Sequence, residues 1–369
     1  MDEPAELRDL RSTLRRMLAK SAPESVVRQH LESADGFDRA TWQRLATEIG
    51  VHGLAIAEEY GGAGCGLREL VVVGEEFGRT LCPGPFLSTV LLSATLVARS
   101  EDRIAMRAVL PGIADGTLVC TVALPGHGSG WDAAETTVTA APDGEAWRLT
   151  GTIPHVLDGL AADLLLVPAR HDDLVSVFTV TPDARSTSVE PVLAMDQTRR
   201  FARVGLASAP ATLVGRPGAA HELVAEATTI AAVGLAADQV GGARRMLEVT
   251  TEYALTRYQF GRPIGSFQAV KHALADMLIG TELARAALDD AVRAVDEGAP
   301  DLATAVSAAK VVCSETYYDV AAAAIQLHGG LGFTWEHGAH LYFKRATADR
   351  ILLGSPAHHT ERLAAALGL

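Results

Sequence analysis

Two segments of the chain carry residue types and spacings suited to holding an anionic cofactor. The first is 257–268, which reads RYQFGRPIGSFQ. Arg257 closes one long helical pattern, Phe260 and Gly261 follow, and Gln268 opens the next helix. A guanidinium beside a helix start suits a pyrophosphate, through bidentate charge-assisted bonds and helix-end amides. Alone, the segment reads more simply as a helix connection with a surface arginine. The second is 326–333, QLHGGLGF, in which Gln326 precedes Gly329 and Gly330. Paired glycines let a backbone approach a ligand closely, and they also serve as a plain helix stop. Both segments lie at helix ends of one helical region, which invites one shared site.

Other candidates are weaker. The glycine-rich stretch Gly61 to Gly66 lacks the Gly-Lys-Ser/Thr ending of a phosphate loop and follows no strand, so it reads as a helix-to-helix turn. Pro125 to Gly130 (PGHGSG) follows a strand pattern and reads either as an anion-facing turn or as a surface loop. His328, His337 and His340 match no zinc spacing, and His358 with His359 does no better, so no metal is expected. No Gly-x-Ser-x-Gly elbow or cysteine signature marks a covalent nucleophile.

The elements that must position these residues fall into three stretches. The 369 residues are 48% apolar and 21% charged, ordinary for a folded protein of two or three domains. A net charge of -13 without a basic run argues against nucleic acid as a partner. Leu87 to Ala98 and similar apolar runs are too short to span a membrane. The acidic N-terminus is unlike a secretory leader, and four scattered cysteines suit a reducing cytoplasm. Residues 1–116 are helical in period, with Leu7, Leu10, Leu14 and Leu18 on one face and another helix over Leu67 to Arg79. Residues 117–215 carry short β-branched runs, with Pro142, Asp143 and Gly144 as a hairpin turn, and predict an antiparallel sheet or barrel. Residues 219–369 are Ala-rich and helical, with Phe267, Val270, Leu274, Met277 and Leu278 as one apolar stripe, and predict an up-and-down bundle.

The two segments resemble motifs of the acyl-CoA dehydrogenase family. Tyr253 to Gln268 looks like its Arg-x-x-Phe-Gly motif with the helix-opening Gln, and Gln326 to Phe333 looks like its Gln-x-x-Gly-Gly-x-Gly-Phe motif. The likeness covers nearly the whole chain, and resembles in particular the subunits of actinobacterial heteromeric steroid-type acyl-CoA dehydrogenases. It implies an α+β fold: an N-terminal helical domain, a middle antiparallel β domain and a C-terminal four-helix bundle that carries the FAD and oligomer interface. It implies FAD as cofactor and an acyl-CoA as substrate. A carboxylate would remove the proton α to the thioester carbonyl while the β-hydride leaves to the flavin, giving a 2,3-enoyl-CoA. An electron-transfer protein would then accept the electrons. Arg257, Phe260, Gly261, Gln268, Gln326, Gly329 and Gly330 would be the cofactor-binding residues, reaching a FAD held mainly by the neighbouring subunit.

The departures from the family pattern fall on the other half of the site. Gly354 stands where the family's usual catalytic Glu would be, and the alternative position in the first bundle helix holds Ala231 and Ala232. Asp349 and Glu361 are out of register. His155, Val156, Leu157 and Asp158 replace the family's Trp-Ile-Ser/Thr-Asn, so the ring-packing Trp and the donor to flavin N5 are missing. Ala123, Leu124, Pro125 and Gly126 replace its Thr-Glu-Pro-Gly. Three readings follow. The chain is a subunit with no catalytic residue of its own, paired with a homologue that carries the Glu in a heterotetramer. Or it is a self-sufficient homotetramer whose base is atypical, such as His358 or a water. Or it is a non-enzymatic CoA-ester binder or scaffold. Retention of Arg257 and Gln326 favours the first.

Overall fold

A computed structural model describes residues 3–124, 131–144 and 146–369. They fall into two compact units. One comprises residues up to 28, 71–82 and 232–369; the other comprises 29–70 and 83–231.

The helices in chain order are α1 (Ala5–Ser21), α2 (Glu24–Glu32), α3 (Arg39–Arg44), α4 (Leu67–Thr80), α5 (Ala94–Arg99), α6 (Arg103–Ala114), α7 (Ala220–Thr256), α8 (Gln268–Asp296), α9 (Leu302–His328), α10 (Ala339–Ile351) and α11 (Pro356–Ala366). The strands are β1 (Cys120–Val122), β2 (Thr139–Asp143), β3 (Ala146–Leu157), β4 (Leu164–His171), β5 (Leu174–Val180), β6 (Thr187–Val192), β7 (Phe201–Val214), β8 (Tyr258–Gln259) and β9 (Arg262–Pro263). This is the order of helices, β domain and helices that the resemblance implies.

In the unit that holds the sheet, β4, β2, β3, β7 and β5 pair in turn, and β5 pairs back to β4, so the ladder closes on itself. The expected antiparallel pairing holds for most of it. However, β1 joins β4 in parallel, Cys120 beside Leu164, and β2 touches β4 in parallel at Thr139 and Arg170. Alternating residues such as Leu149, Val167, Phe178 and Val204 point inward and fill the core. The loop at Gly61 to Gly66 folds back on its own unit: amides of Ala63, Gly64 and Cys65 donate to the carbonyls of Gly53, Ile56 and Leu54. Its donors are thus spent on structure. The loop 125–130, a candidate anion turn, lies outside the described residues.

In the bundle unit, α4 and α7 meet backbone to backbone. A Cβ added to Gly78 would lie 1.9 Å from the carbonyl oxygen of Asp238, and one added to Gly241 would lie 1.9 Å from that of Glu75. Only glycine permits this approach, because any side chain would overlap a main-chain atom. On the same helix Gly242 gives way to Tyr317, whose ring would lie 2.4 Å from an added Cβ. The contact buries charge. Glu75 is paired with Arg11 of α1 at 2.5 Å and Arg285 of α8 at 2.9 Å, and Asp238 is paired with Arg345 of α10 at 3.1 Å. Glu76 takes Arg15 at 2.7 Å. Removing one partner of such buried pairs leaves an uncompensated charge, so these bonds fix the register of five helices.

By length and composition α7 could cross a membrane, with a window of mean hydropathy 1.3, whereas the sequence reading found only shorter apolar runs. Since 72% of that window is buried within the protein, its apolarity is explained by core packing. The apolar stripe expected over Phe267 to Leu278 is only partly covered. Met277 is buried, while Leu278, Ile279 and Leu283 of α8 are exposed.

Two substitutions separate close approach from ordinary helix propensity. Gly78→Ala should lower unfolding free energy by about 3 kcal/mol or more, because its methyl meets backbone that no rotamer change can move. Gly280→Ala on α8, whose added Cβ would sit 3.4 Å from Thr316 Cγ2, should be neutral or stabilising by up to about 1 kcal/mol. Urea unfolding curves for the two variants check both.

Candidate functional site

The first segment folds as a two-residue hairpin at the end of α7. The amide of Arg257 continues the helix ladder to the carbonyl of Tyr253 at 2.8 Å, and its own carbonyl accepts from Ile264 at 2.8 Å. Strands β8 and β9 pair Tyr258 with Pro263 and Gln259 with Arg262. The two turn residues, Phe260 and Gly261, both have positive φ, +53° and +77°. That is the geometry of the favoured hairpin turn, and it suits Gly261 but costs Phe260 some strain. Phe260 is left 91% exposed. The Arg262 guanidinium lies 4.0 Å over the ring of Phe267, which ends the connection and precedes α8. Arg257 and Gln268 are exposed, and Gln268 Nε2 meets His272 Nε2 at 2.8 Å.

The second segment caps α9. Gly329 has φ +59° and ψ −140°, a conformation open to glycine, and starts a 3₁₀ turn that runs to Phe333. Gly332 packs under the end of α9, where an added Cβ would lie 2.8 Å from the Ile325 carbonyl oxygen. Gln326, Gly329 and Gly330 are exposed, and so is Phe333 at 86%. His328 points the other way and is buried. Its Nδ1 donates to the carbonyl of Ala324 at 2.7 Å, and its ring stacks on Tyr253 with centroids 4.4 Å apart.

This stack joins the two segments. Tyr253 is the residue whose carbonyl receives the Arg257 amide, and His328 lies between Gln326 and Gly329. The structure thus brings together the ends of α7 and α9 that the sequence reading had paired only by inference. Nothing in the residue types of Tyr253 and His328 marks them as the link. Their positions inside the two motifs were the available signal. Among the described residues no group of three or more His, Cys, Asp or Glu could hold a metal ion.

The position where the family's usual Glu would stand is tightly packed by side chains. Gly354 is buried with φ +100°, and an added Cβ would lie 2.7 Å from His359 Nε2 and 2.9 Å from His358 Cδ2. Both nitrogens of His359 are engaged, Nε2 with the Leu353 carbonyl at 3.0 Å and Nδ1 with Ser307 Oγ at 3.2 Å. Burial pushes its pKa down to about 4, so the ring is neutral at pH 7 and a weak base. Ala231 and Ala232 are buried and offer no carboxylate. Asp349 is fully buried, while Glu361 is exposed on α11. In the sheet unit, Leu157 is buried at the end of β3, its carbonyl accepting from Thr121 Oγ1 at 2.6 Å. Its side chain has no hydrogen to donate. Asp158 follows with φ +55° and accepts from Ser88 Oγ at 2.5 Å. Pro125 and Gly126 lie outside the described residues.

Lys310 of α9 pins the chain just before Gly354. Its Nζ donates to Ser314 Oγ at 2.9 Å and to the carbonyls of Asp349 at 3.0 Å and Arg350 at 3.4 Å, at the C-terminal end of α10. Gln239 Nε2 adds bonds to Ser314 Oγ at 3.0 Å and the Asp349 carbonyl at 3.2 Å.

Family models match the two ends of the chain: "Acyl-CoA dehydrogenase, N-terminal domain" over residues 4–117 and "Acyl-CoA dehydrogenase, C-terminal domain" over 221–368. The acyl-CoA dehydrogenase IpdE2 of Mycobacterium tuberculosis is 36% identical over 98% of both chains. The chain belongs to the acyl-CoA dehydrogenase family. Among solved structures, this family member is similar to a chain of a variant of the Tcur3481–Tcur3483 steroid ACAD, 35% identical with a TM-score of 0.88 over 98% of each. It is also similar to a chain of the ChsE4–ChsE5 complex from Mycobacterium tuberculosis, 30% identical with a TM-score of 0.89 over 100% of this chain and 99% of that one.

The buried lysine makes stability depend on pH. Burial pushes the Lys310 pKa down to about 8, against the pull of Asp349, from an ordinary 10.5. Below pH 8 both folded and unfolded chains hold the proton, and the full cost of the buried charge is present. Between pH 8 and 10.5 the unfolded chain binds more protons, so this group's contribution to stability rises with pH. The stability of the native protein relative to Lys310→Met should therefore increase across that window, by a few kcal/mol in order of magnitude. Parallel denaturation curves at pH 7.5 and pH 10 check the sign.

Proposed function

We propose that this chain is the subunit of a heteromeric FAD-dependent acyl-CoA dehydrogenase that lacks the catalytic base and completes the FAD site of a homologous partner. One observation carries the reading. The side-chain space at the base position, Gly354, is taken by His359 and His358, while Arg257, Phe260, Gln268, Gln326, Gly329 and Gly330 are all exposed. The residues that would serve a neighbour's cofactor are displayed, while the chain's own half lacks the Glu, the ring-packing Trp and the donor to flavin N5 that the family pattern has.

The displayed residues fit one part of FAD. The Arg257 guanidinium would clamp the pyrophosphate in bidentate fashion. The Phe260 ring, held out by the hairpin, would lie against the adenosine side, and the amides around Gly329 and Gly330 would approach the phosphates without side-chain interference. When bound, the flavin supplies the acceptor for the substrate hydride. This chain's residues bind and orient; they move no proton. The carboxylate that removes the α-proton comes from the partner. Exposed Leu278, Ile279 and Leu283 of α8, with Phe260 and Phe333, give the partner an apolar face to cover.

The substrate is an acyl-CoA and the product its 2,3-enoyl-CoA. Similarity to a steroid ACAD and to the ChsE4–ChsE5 complex supports a steroid side-chain acyl group and a heterotetramer of two chains of each kind. An electron-transfer protein would reoxidise the flavin in the cytoplasm. The self-sufficient reading would need an atypical base, His358 or a water, because no carboxylate stands at Gly354, Ala231 or Ala232.

Expressed alone, the chain should be colourless. Co-expressed with a Glu-bearing homologue, it should hold about one FAD per pair of unlike chains, because obligate interface sites need both. Flavin absorbance per mole after gel filtration decides, and a yellow, active assembly of this chain alone overturns the reading.

Arg257→Ala in the complex should weaken FAD retention about 10- to 100-fold, the worth of one or two charge-assisted bonds, whereas Arg293→Ala at the far end of α8 should leave it unchanged. His358→Ala should keep turnover within about tenfold of the native complex, where loss of a true base commonly costs 100- to 10,000-fold.

A further inference from the structure

A cavity of about 370 Å³ opens within the bundle unit, among α1, the α1–α2 connection, the end of α4, α7 and the start of α10. None of the cofactor-binding candidates lines it. Its walls are apolar, from Leu18, Val27, Met246 and Leu341, and its polar edge is built from three guanidiniums, Arg15, Arg79 and Arg245. The volume lies within the roughly 300–1,000 Å³ of small-molecule sites.

The three arginines are unequally neutralised. Arg15 is paired with Glu76 at 2.7 Å. Arg79 grips Glu248 with both terminal nitrogens, at 2.7 Å and 2.5 Å. Arg245 reaches the same carboxylate only at 3.6 Å. Two guanidiniums therefore share one carboxylate. Burial tends to raise the Glu248 pKa, but Arg79 and Arg245 outweigh it and keep the group ionised. The one carboxylate on the lining, Glu24, is already bonded to Arg28 at 2.7 Å. Tyr342 also lines the cavity, with its hydroxyl donating to the Arg79 carbonyl at 2.6 Å. That bond ties α10 to α4 and holds the polar edge in place before any ligand arrives.

We propose that this cavity binds an apolar monocarboxylate, with its carboxylate on Arg245 and its hydrocarbon body against Leu18, Met246 and Leu341. One positive charge in excess beside apolar walls selects a single negative charge on an apolar body. A dianion would leave a charge unpaired, and a cation would meet three guanidiniums. The proposal does not depend on flavin binding or on the partner subunit.

Octanoate is the probe, titrated calorimetrically into the full-length chain, with octylamine as the control of opposite charge. Octanoate should bind one site per chain, and octylamine should give no heat. Arg245→Gln should weaken octanoate at least tenfold by removing the excess charge, and Met246→Trp should weaken it at least tenfold by filling the cavity. Circular dichroism melts of both variants check that they are folded; if Met246→Trp does not fold, Arg245→Gln alone decides. Octanoate affinity unchanged within twofold in the folded variants, equal binding of octylamine, or absence of octanoate binding overturns the proposal.

Discussion

The backbone contact between α4 and α7 is the constraint on which the bundle unit depends. Two helices held at normal separation leave room for side chains between them. Here Gly78 and Gly241 remove that layer, so the helices interlock through main-chain atoms. The contact leaves no freedom for one helix to slide along the other. Glu75, Glu76 and Asp238 flank it, and each can be tolerated inside only because an arginine from α1, α8 or α10 reaches it. Close approach thus dictates the buried ion pairs, and the ion pairs dictate where the other helices lie. The end of α7, and with it the hairpin that carries Arg257, inherits its position from that chain of contacts.

Much of this was legible in the sequence, for identifiable reasons. The recurrence of Leu7, Leu10, Leu14 and Leu18 marked a helix face that is fully buried at Leu14 and Leu18 and partly buried at Leu7 and Leu10. The turn expected at Pro142, Asp143 and Gly144 marked the β2–β3 connection, where Gly144 has positive φ, although Pro142 and Asp143 belong to the end of β2 and pair with Trp147 and Ala146. The strand β6 was not legible. Its sequence, Thr-Ser-Val-Glu-Pro-Val, holds a proline and a glutamate, and it exists only because β7 offers an edge to pair with. Parallel pairing of β1 with β4 was hidden for the same reason: pairing partners are tertiary facts. Periodicity could not tell that Leu278 of the α8 stripe is exposed beside buried Met277, since the same apolar pattern serves covered and uncovered helix faces.

The site shows a similar division. The motifs around Arg257 and Gln326 were legible through their resemblance to the family's paired motifs, since each alone reads as a plain helix end. What joins them, Tyr253 stacked on His328, was not, because stacking needs coordinates. The absence of a carboxylate at Gly354 could be read from one letter. That the space beside it is filled could not.

That filled space bears on how the chain could change. A glutamate introduced at position 354 would meet His359, which is itself fastened to Leu353 and Ser307, and would have to adopt a backbone conformation that favours glycine. The first step toward a base-bearing chain is therefore destabilising by itself, and becomes acceptable only after position 359 and the turn have altered. A substitution at this turn is therefore coupled to positions 358 and 359.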